Sequence, residues 1–215
     1  MDEYEVVVAG VRDVGPDTVA IDVETPEEFS ALPGQFVVVK ATVDGETVDR
    51  YYTISSPNTT GSFELTVEID PEGDVTPMLA DLEAGDALTV AGPLGDVCYD
   101  DDGDVLAVAG GPGVGPGLAV AERAVEHGYD VALVYQDDGV VHEDRLDALV
   151  EAGASVDLLD ATAPDADDAL RAAVAEHAAI GDAYVYGFAD FCGTVTDALA
   201  EAGVDDDAVH VESFG

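Results

Sequence analysis

The chain has 215 residues, 47% of them hydrophobic, which is enough for one large domain or two small ones with packed cores. Its 48 acidic and six basic side chains give a formal net charge of −42, which argues against a nucleic-acid partner because six scattered cations cannot neutralise a phosphate backbone. Two cysteines without a pairing motif argue against a disulfide framework and a cysteine-ligated iron–sulfur cluster.

The distribution of the acids and the character of the N-terminus bear on location. Acidic residues spread through both halves, with runs at 100–104, 165–168 and 205–207. Such a surface repels itself unless salt screens it, so the composition predicts a cytoplasm rich in salt; a binder of cationic partners is the alternative. The first four residues lack the basic start and apolar stretch of a secretory signal, and no apolar run approaches a membrane span. We therefore expect a cytoplasmic protein without membrane contact.

Short β-rich runs separated by turn residues fill the first 91 residues, and their spacing predicts a small antiparallel barrel or sandwich. Turns are expected at Pro33-Gly34 and Asp44-Gly45, and a short helix is expected over residues 75–82. The predicted strands cover residues 5–11, 18–23, 35–42, 49–55, 62–69 and 87–91.

The start of that short helix has two interpretations. Gly73, Val75 and Thr76 lie where a helix leaves its first backbone N–H groups free, which makes a site for a phosphate. The alternative is an ordinary capped helix that only connects two strands.

Residues 50–57 place one of the six cations beside two aromatic side chains and a row of hydroxyls. Because basic residues are so scarce, Arg50 indicates a dedicated anionic partner such as a diphosphate. Tyr52 can cover a planar heterocycle, and the hydroxyl of Thr53 can bond a ring nitrogen. The alternative is an ordinary strand with Tyr51 or Tyr52 in the core and Arg50 paired to a surface acid.

A break at Gly92-Pro93-Leu94-Gly95 and the acidic run 100–104 precede a complete change of pattern. Apolar strand-like runs now alternate with helical stretches, which predicts a doubly wound parallel five-stranded sheet. The predicted strands are 105–109, 131–135, 155–158, 183–186 and 209–211, and the predicted helices are 115–126, 143–152, 165–177 and 191–202. We place one domain at residues 1–98 and the other at residues 104–215.

A glycine-rich turn follows the first strand of this second half. Such folds bind a diphosphate at this turn, where glycines let the backbone approach the phosphates and a proline suits the first helical turn. The residues concerned are Gly110, Gly111, Pro112, Gly113 and Pro116.

The next strand ends about 20 residues further on, where dinucleotide folds contact the adenosine ribose. Asp137 or Asp138 can bond a ribose 2′-hydroxyl and would repel a 2′-phosphate, which favours NADH over NADPH. The alternative is that both acids belong to a solvated turn. His142 and Arg145 follow closely in sequence, so the choice of nucleotide stays open.

Together these motifs resemble the ferredoxin-NADP reductase family of flavoproteins, in order and over nearly the whole chain. The resemblance implies that Arg50 meets the diphosphate of FAD, Tyr52 packs on the isoalloxazine and Thr53 approaches flavin N5, with Tyr51 in the same site. Tyr52 and Thr53 are thus the residues expected at the reacting ring. The strong acidity indicates a haloarchaeal type of member.

The same resemblance assigns roles to four other segments. Gly73, Val75 and Thr76 resemble a second flavin phosphate contact, and the segment 92–95 resembles the one that closes the flavin domain. Gly110, Gly111, Pro112, Gly113 and Pro116 resemble the nicotinamide nucleotide loop. Gly187 and Phe188 lie where the family has Cys-Gly-Pro, and Phe214 belongs to a terminal segment, 212–215, that resembles the family's aromatic segment near the flavin.

Several positions depart from the family pattern. Pro112 replaces the usual Thr or Ser, and Tyr186 and Phe188 stand where Cys and Pro are usual, which puts productive hydride transfer in doubt. Glu68 falls in a strand where many relatives carry a base. Cys192 either substitutes for the missing thiol or is a small buried residue.

We therefore predict an FAD-dependent NAD(P)H oxidoreductase that passes electrons to an unidentified acceptor such as a small redox protein, with FMN as an alternative flavin. One rival is an electron-transfer subunit of a larger complex; relatives that serve dihydroorotate oxidation carry a cysteine-rich cluster, which this sequence lacks. Another is a nucleotide-binding regulatory module without turnover. A third is a halophilic α/β protein with neither cofactor. The four histidines share no metal-ligand spacing, so no metal is expected.

Overall fold

The computed structural model describes residues 2–43 and 45–214, so Asp44 of the predicted turn and Gly215 of the terminal segment lie outside the described residues. The first half forms a six-stranded antiparallel sheet in the order β4-β3-β6-β1-β2-β5. An antiparallel bridge between Ile54 and Leu65 joins the two ends of this order and closes the sheet into a barrel. The strands are β1 (Glu3–Gly15), β2 (Thr18–Glu24), β3 (Phe36–Val43), β4 (Glu46–Thr53), β5 (Ser62–Glu68) and β6 (Ala87–Leu94).

Alternating β-branched residues explain these strands, because their inward members fill the barrel. Val37, Val39, Val67 and Val90 are fully buried there. Each predicted strand of this half overlaps an observed one, and the antiparallel barrel is confirmed.

The short helix α1 (Thr76–Ala80) lies between β5 and β6 and is shorter at both ends than the predicted 75–82. Val75 precedes the helix and is buried in the barrel core, as is Leu79. The backbone N–H of Asp81 closes the helix onto Pro77. The packing of Val75 and this closing turn, which local pattern does not reveal, set the two ends.

The second half is a five-stranded parallel sheet in the order β11-β10-β7-β8-β9 with helices on both faces, so the doubly wound architecture is confirmed. Successive residues of β7 alternate between the two faces: Ala107 belongs to the core under α2 and α3, and Leu106 and Val108 to the core under α4 and α5. The elements are β7 (Val105–Gly110), α2 (Val114–Glu126), β8 (Val131–Asp137), α3 (Glu143–Glu151), β9 (Ser155–Asp160), α4 (Ala166–His177), β10 (Asp182–Gly187), α5 (Ala189–Ala202) and β11 (Val209–Ser213).

The two halves pack directly against each other. A Cβ added to Gly15 in β1 would lie 2.8 Å from the side chain of Val141, just before α3. A Cβ added to Gly115 in α2 would lie 2.4 Å from Oγ of Ser55, which follows β4. This close approach aligns the end of β4 with the carboxyl edge of the parallel sheet. Within the part of the chain that the structure describes, no helix is long and apolar enough to cross a membrane.

Candidate functional site

A cleft of about 820 Å³ lies between the two halves. Its size is within the range of about 300–1,000 Å³ that small-molecule sites occupy. Tyr51, Tyr52 and Thr53 of β4 form one wall, Pro112 and Pro116 of the glycine-rich turn form another, and the end of β11 completes it. The structure thus brings together motifs that the sequence separates widely.

The β4 wall presents aromatic surface to this cleft. Tyr51 is 67% exposed, and its ring lies 5.9 Å from that of Phe36 in an edge-on contact. Tyr52 is half-buried, because it packs on the barrel core from one side and lines the cleft on the other. Exposed aromatic faces beside a cleft suit a planar ring system.

Arg50 stands at the exposed end of this wall and has no ion pair among the described residues. Its guanidinium donates one hydrogen bond, to the backbone carbonyl of Asp49 at 3.0 Å. The alternative, in which Arg50 pairs with a surface acid, has no such pair among residues 2–43 and 45–214 to support it. The other five basic side chains all contact carboxylates; they are Arg12, Lys40, Arg123, Arg145 and Arg171.

Glu212 reaches the same wall from the second half of the chain. The hydroxyl of Thr53 donates to Oε1 of Glu212 at 3.3 Å. Burial raises the pKa of Glu212 to about 7, and the hydrogen bond from Thr53 opposes that rise. In the sequence Glu212 is distinguished only as the first residue of the terminal segment 212–215, which does not indicate this contact. The one available signal was an acid at the end of a short apolar strand.

The glycine-rich turn is shaped by close packing as well as by its opening toward the cleft. Gly111 has a φ of +54°, in the left-handed region that glycine tolerates. A Cβ at Gly113 would lie 2.2 Å from the carbonyl oxygen of Tyr186, and one at Gly110 would lie 2.7 Å from the ring of Phe191. Pro116 falls in the first turn of α2, which begins at Val114, as predicted.

The residues after β10 contact the terminal segment. Phe188 is 54% exposed, and its ring meets the edge of Phe214 at 6.3 Å. Phe214 lines the cleft, and its backbone N–H donates to the carbonyl of Gly187 at 3.0 Å. Phe214 thus presents its ring to the cleft, and its contact with a flavin stays a prediction.

Two family departures turn out to lie away from the cleft. Tyr186 is fully buried, with its hydroxyl against Gly34 and without a hydrogen-bond partner among the described residues. Cys192 is buried in α5, with its thiol 3.4 Å from the carbonyl oxygen of Gly187. Neither side chain lines the cleft, so Tyr186 does not obstruct it and Cys192 is a small core residue.

The predicted phosphate contact at Gly73, Val75 and Thr76 does not line the cleft. The side chain of Val75 is buried, and the hydroxyl of Thr76 accepts from the backbone N–H of Asp70 at 2.9 Å and donates to its carbonyl at 3.2 Å. The structure thus shows Thr76 tying the start of α1 to the end of β5. A phosphate role for these residues stays a prediction.

A smaller groove of about 230 Å³ lies at the carboxyl ends of β8 and β9. Asp137 lines it, accepting a hydrogen bond from the hydroxyl of Tyr135 at 2.6 Å, and the exposed Val140 and Leu158 form apolar walls. Asp138 lines it too. The groove therefore combines carboxylates with flat apolar surface, which suits a nucleoside.

His142 and Arg145 do not reach this groove. Both are held against the first half of the chain, where His142 contacts Thr66 and Arg145 contacts Glu64. No group of three or more His, Cys, Asp or Glu residues suited to a metal ion occurs within residues 2–43 and 45–214.

Comparisons with known proteins agree with this geometry. Residues 5–99 match the family of the oxidoreductase FAD-binding domain. The ferredoxin-NADP+ reductase of Plasmodium falciparum has the same fold: the likeness covers 99% of this chain and 96% of that one, with a TM-score of 0.84 and 14% sequence identity.

Two of the curated proteins that are similar in sequence are reductases. The glycine betaine monooxygenase reductase subunit of Chromohalobacter salexigens is 42% identical over 117 residues, which is 52% of this chain and 32% of that protein. NADH-cytochrome b5 reductase 1 of Laccaria bicolor is 30% identical over 148 residues, which is 63% of this chain and 48% of that protein. The chain spans less than half the length of these relatives. Residues 5–99, somewhat less than half of the chain, are thus similar to the oxidoreductase FAD-binding domain.

Proposed function

We propose that this chain is an FAD-dependent NAD(P)H oxidoreductase, with FAD in the barrel half and the nicotinamide nucleotide on the parallel sheet. The observation that carries the proposal is Arg50, the one Lys or Arg side chain without a carboxylate partner among the described residues. It does not itself line the cleft, but it immediately precedes the cleft-lining Tyr51, Tyr52 and Thr53 in β4. In a chain with 48 acids, a guanidinium left unpaired has its hydrogen-bonding capacity available for an anionic ligand.

The residues of the cleft fit FAD. Arg50 would hold the diphosphate, and Tyr51 and Tyr52 would contact the isoalloxazine through their exposed faces. Phe214 would cover the ring from the second half of the chain. Bound FAD would supply the redox chemistry, accepting a hydride from the nicotinamide and releasing electrons to an acceptor.

Thr53 and Glu212 would manage a proton beside the reacting ring. Because the pKa of Glu212 is about 7, its carboxyl occurs in both protonation states at neutral pH. The hydroxyl of Thr53 donates to Oε1 of Glu212, and the two oxygens are 3.3 Å apart. The apolar surfaces of Pro112 and Phe214 would limit the access of water.

The second half would bind the nicotinamide nucleotide along the glycine-rich turn. Gly111 lines the adjoining pocket together with Pro112, whereas Gly110 and Gly113 are buried and hold the turn against Phe191 and Tyr186. Phe188, exposed beside Phe214, would meet the nucleotide. Asp137 would bond the adenosine ribose, with adenine against Val140 and Leu158. Since no basic side chain lines this groove, we propose NADH rather than NADPH as the donor.

The acceptor would be a redox protein. The names of the two relatives, a monooxygenase reductase subunit and a cytochrome b5 reductase, support a chain that passes electrons to a separate protein. The net charge of −42 supports a haloarchaeal type of chain working in a salt-rich cytoplasm. The first relative also supports a second candidate, in which this chain acts as the reductase component of a larger complex.

The test is a visible absorption spectrum of protein purified from concentrated salt, recorded before and after anaerobic addition of NADH. A flavin band that bleaches at once supports the oxidoreductase. A flavin band that persists supports a nucleotide-binding module without turnover. A colourless protein that also fails to take up added FAD contradicts the role given to the cleft.

A further inference from the structure

A hydrogen-bonded group of side chains, here called the seam, joins the two halves behind the cleft. Its members are buried or half-buried and belong to elements that are distant in sequence. They are Ser55, Glu64 and Thr66 from the barrel half and Glu122, His142 and Arg145 from the other half. None of them has a role in the function proposed above.

Arg145 is the centre of the seam. Its Nε and Nη2 donate to the two carboxylate oxygens of Glu122 in α2, at 2.7 and 2.8 Å. Its Nη1 donates to Oε1 of Glu64 in β5 at 2.7 Å, and its Nη2 donates to the backbone carbonyl of Ser55 at 2.7 Å. One guanidinium therefore links two helices of the second half to a strand and a loop of the barrel.

Glu64 is the barrel's counterpart to Arg145. Its side chain is 6% exposed, and its second oxygen is paired with Arg12 of β1. Burial raises the pKa of Glu64, and the guanidinium groups of Arg145 and Arg12 oppose that rise. This single carboxylate takes two of the chain's six basic side chains, although 47 other acids are present in the sequence.

His142 adds a second connection. It adopts a left-handed backbone conformation with a φ of +59°, and its N–H donates to the carbonyl of Val14 in β1 at 2.7 Å. Its Nε2 lies 2.9 Å from the hydroxyl oxygen of Thr66. Burial lowers the pKa of His142 to about 3, so the imidazole is neutral at ordinary pH and contributes a hydrogen bond rather than a charge.

The seam and the cleft share residues. Ser55 and Thr66, whose hydroxyl oxygens are 2.8 Å apart, also line the cleft, and Ser55 follows Thr53 by two positions. Gly115 of α2 fits against both hydroxyls without space for a side chain. A movement at the seam would therefore shift the β4 wall relative to the glycine-rich turn.

We propose that Arg145 is a positioning residue, which fixes the nucleotide-binding half against the flavin wall and thereby sets the approach of nicotinamide to flavin. This inference rests on the proposed function, because it assigns those ligands to the two walls. A displacement of about 1 Å between reacting groups can cost on the order of 100-fold in rate, so a rigid seam has a direct effect on transfer.

The first experiment measures anaerobic flavin reduction by NADH in the Arg145→Lys and Arg145→Met variants. Lysine keeps a positive charge beside the two carboxylates, so we expect Arg145→Lys to fold. Its ammonium group cannot make the four directed hydrogen bonds of the guanidinium, so the position of the two halves should be less firmly fixed. We expect the limiting rate per bound flavin to fall about tenfold in Arg145→Lys and further in Arg145→Met. The dissociation constant for NADH should change little. The long-wavelength charge-transfer absorbance, which reports stacking of nicotinamide on flavin, should weaken.

The matched control is Arg171→Met. Arg171 lies in α4 and contacts Asp197 and Glu201 at 3.8 and 3.9 Å, within the second half of the chain. Its removal takes away the same charge and should leave the limiting rate unchanged. Equal rates per bound flavin in wild type and both Arg145 variants would overturn the proposal, as would a loss of activity that merely follows a loss of flavin.

A second readout is independent of activity. Backbone hydrogen exchange is measured without ligands in the peptides that cover Ser55, Thr66 and His142. Both Arg145 variants should exchange faster there, and Arg171→Met should not. If wild type itself is not reduced by NADH, the proposed function fails while faster exchange still supports the seam. Unchanged exchange in that case overturns the seam as well.

Discussion

The β4 wall and the seam use their polar groups in opposite ways, although Arg50 at the first and Ser55 in the second are only five residues apart. Arg50 is exposed and donates to one carbonyl of its own neighbour. Arg145 is nearly buried and makes four hydrogen bonds with three residues. Since buried polar groups in proteins are generally satisfied, the four hydrogen bonds of Arg145 indicate a structural role. The exposed Arg50 keeps donors free for the diphosphate proposed above.

The comparison predicts that the seam tolerates no added volume. In Gly115→Ala, the new methyl group would lie 2.4 Å from Oγ of Ser55 and 2.8 Å from Oγ1 of Thr66. We expect a loss of about 3 kcal/mol in the free energy of unfolding, because overpacking a filled site costs about 1–3 kcal/mol and here two hydrogen-bonded hydroxyls must move. Denaturant unfolding in concentrated salt measures the change.

Gly193→Ala is the control, because Gly193 also lies in a helix, α5, and a Cβ there meets nothing within 4 Å. That substitution should stabilise the protein by about 0.5–1 kcal/mol through helix propensity and reduced freedom of the unfolded chain. Equal effects of the two substitutions would show that the seam has space to spare.

Glu212 gives a pH-dependent test of the cleft wall. Its folded pKa of about 7 lies above the ordinary value of 4.5, so the folded state keeps the proton that the unfolded state releases between those values. The free energy of unfolding contributed by this residue therefore falls as pH rises from about 4.5 to about 7 and is constant above. Glu212→Gln should be more stable than wild type above pH 7 by about 2 kcal/mol, a figure reduced for partial exposure.

The measurement is denaturant unfolding of both proteins from pH 4 to pH 9 at one salt concentration. Taking the difference between the two curves cancels the titration of the other acids. A constant difference across this range would contradict the raised pKa of Glu212. Thr53→Val serves as a companion variant, because removing the hydroxyl that donates to Glu212 should raise that pKa further.

Arg50 tests the ligand side of the comparison. Arg50→Ala should weaken FAD binding by about 2 kcal/mol, or about 30-fold, since hydrogen bonds to charged groups contribute about 1.5–3 kcal/mol. The stability of the FAD-free protein should change by less than about 0.5 kcal/mol, because no ion pair is lost. Titration of apoprotein with FAD, followed by flavin fluorescence, gives the dissociation constant.

Arg171→Ala removes an equal charge from α4 and should leave FAD affinity unchanged. If Arg50→Ala retains wild-type affinity, the diphosphate binds elsewhere and the unpaired guanidinium has no ligand role. If the FAD-free variant is markedly less stable, Arg50 stabilises the fold as Arg145 does. The contrast between the β4 wall and the seam is then lost.

Local pattern was sufficient for the sheets and for the first wall of the cleft. Strands follow from runs of β-branched residues, and α2 follows from a proline and glycines after an apolar strand. Tyr51, Tyr52 and Thr53 were expected at one site because they are contiguous, and all three line the cleft. Arg50 stood out because cations are rare in this chain, and its ligand role stays a prediction. The sequence pattern that indicates the site therefore lies mostly in one strand, β4.

The seam and Glu212 could not be predicted, because they depend on contacts between distant residues. Arg145 and Glu64 are 81 residues apart, and Thr53 and Glu212 are 159 apart. Nothing in the sequence around Arg145 distinguishes a frame residue from one that binds a 2′-phosphate, which is why both choices of nucleotide stayed open. Packing of the two halves decides where these side chains point.

The smallest expected effect is that of a substitution at Glu68, because its carboxylate would act on the bound nucleotide only by electrostatic repulsion, without direct contact. Glu68 is exposed and lines the large cleft. It also lines a second, small pocket, distinct from the groove at β8 and β9, whose lining includes Pro112, Asp137 and Asp138. Burial raises the pKa of Glu68, and the nearby Asp137 and Asp138 raise it further, which shows that carboxylates crowd this pocket. A dinucleotide diphosphate would meet the same repulsion. Glu68→Gln should therefore tighten NADH binding, by less than about 1 kcal/mol for an exposed group.

The salt dependence of that gain separates charge from shape. Screening shortens the range of exposed charges from about 10 Å at 0.1 M salt to about 3 Å at 1 M, so the benefit of Glu68→Gln should shrink as salt rises. Glu201→Gln on α5 removes an equal charge far from the pocket lining and should show no benefit at either concentration. If Glu68→Gln tightens NADH binding equally at both, its carboxylate obstructs the pocket by its shape or hydration. If it has no effect at low salt, the diphosphate does not pass Glu68, and the path assigned to the nucleotide along Gly111 and Pro112 is wrong.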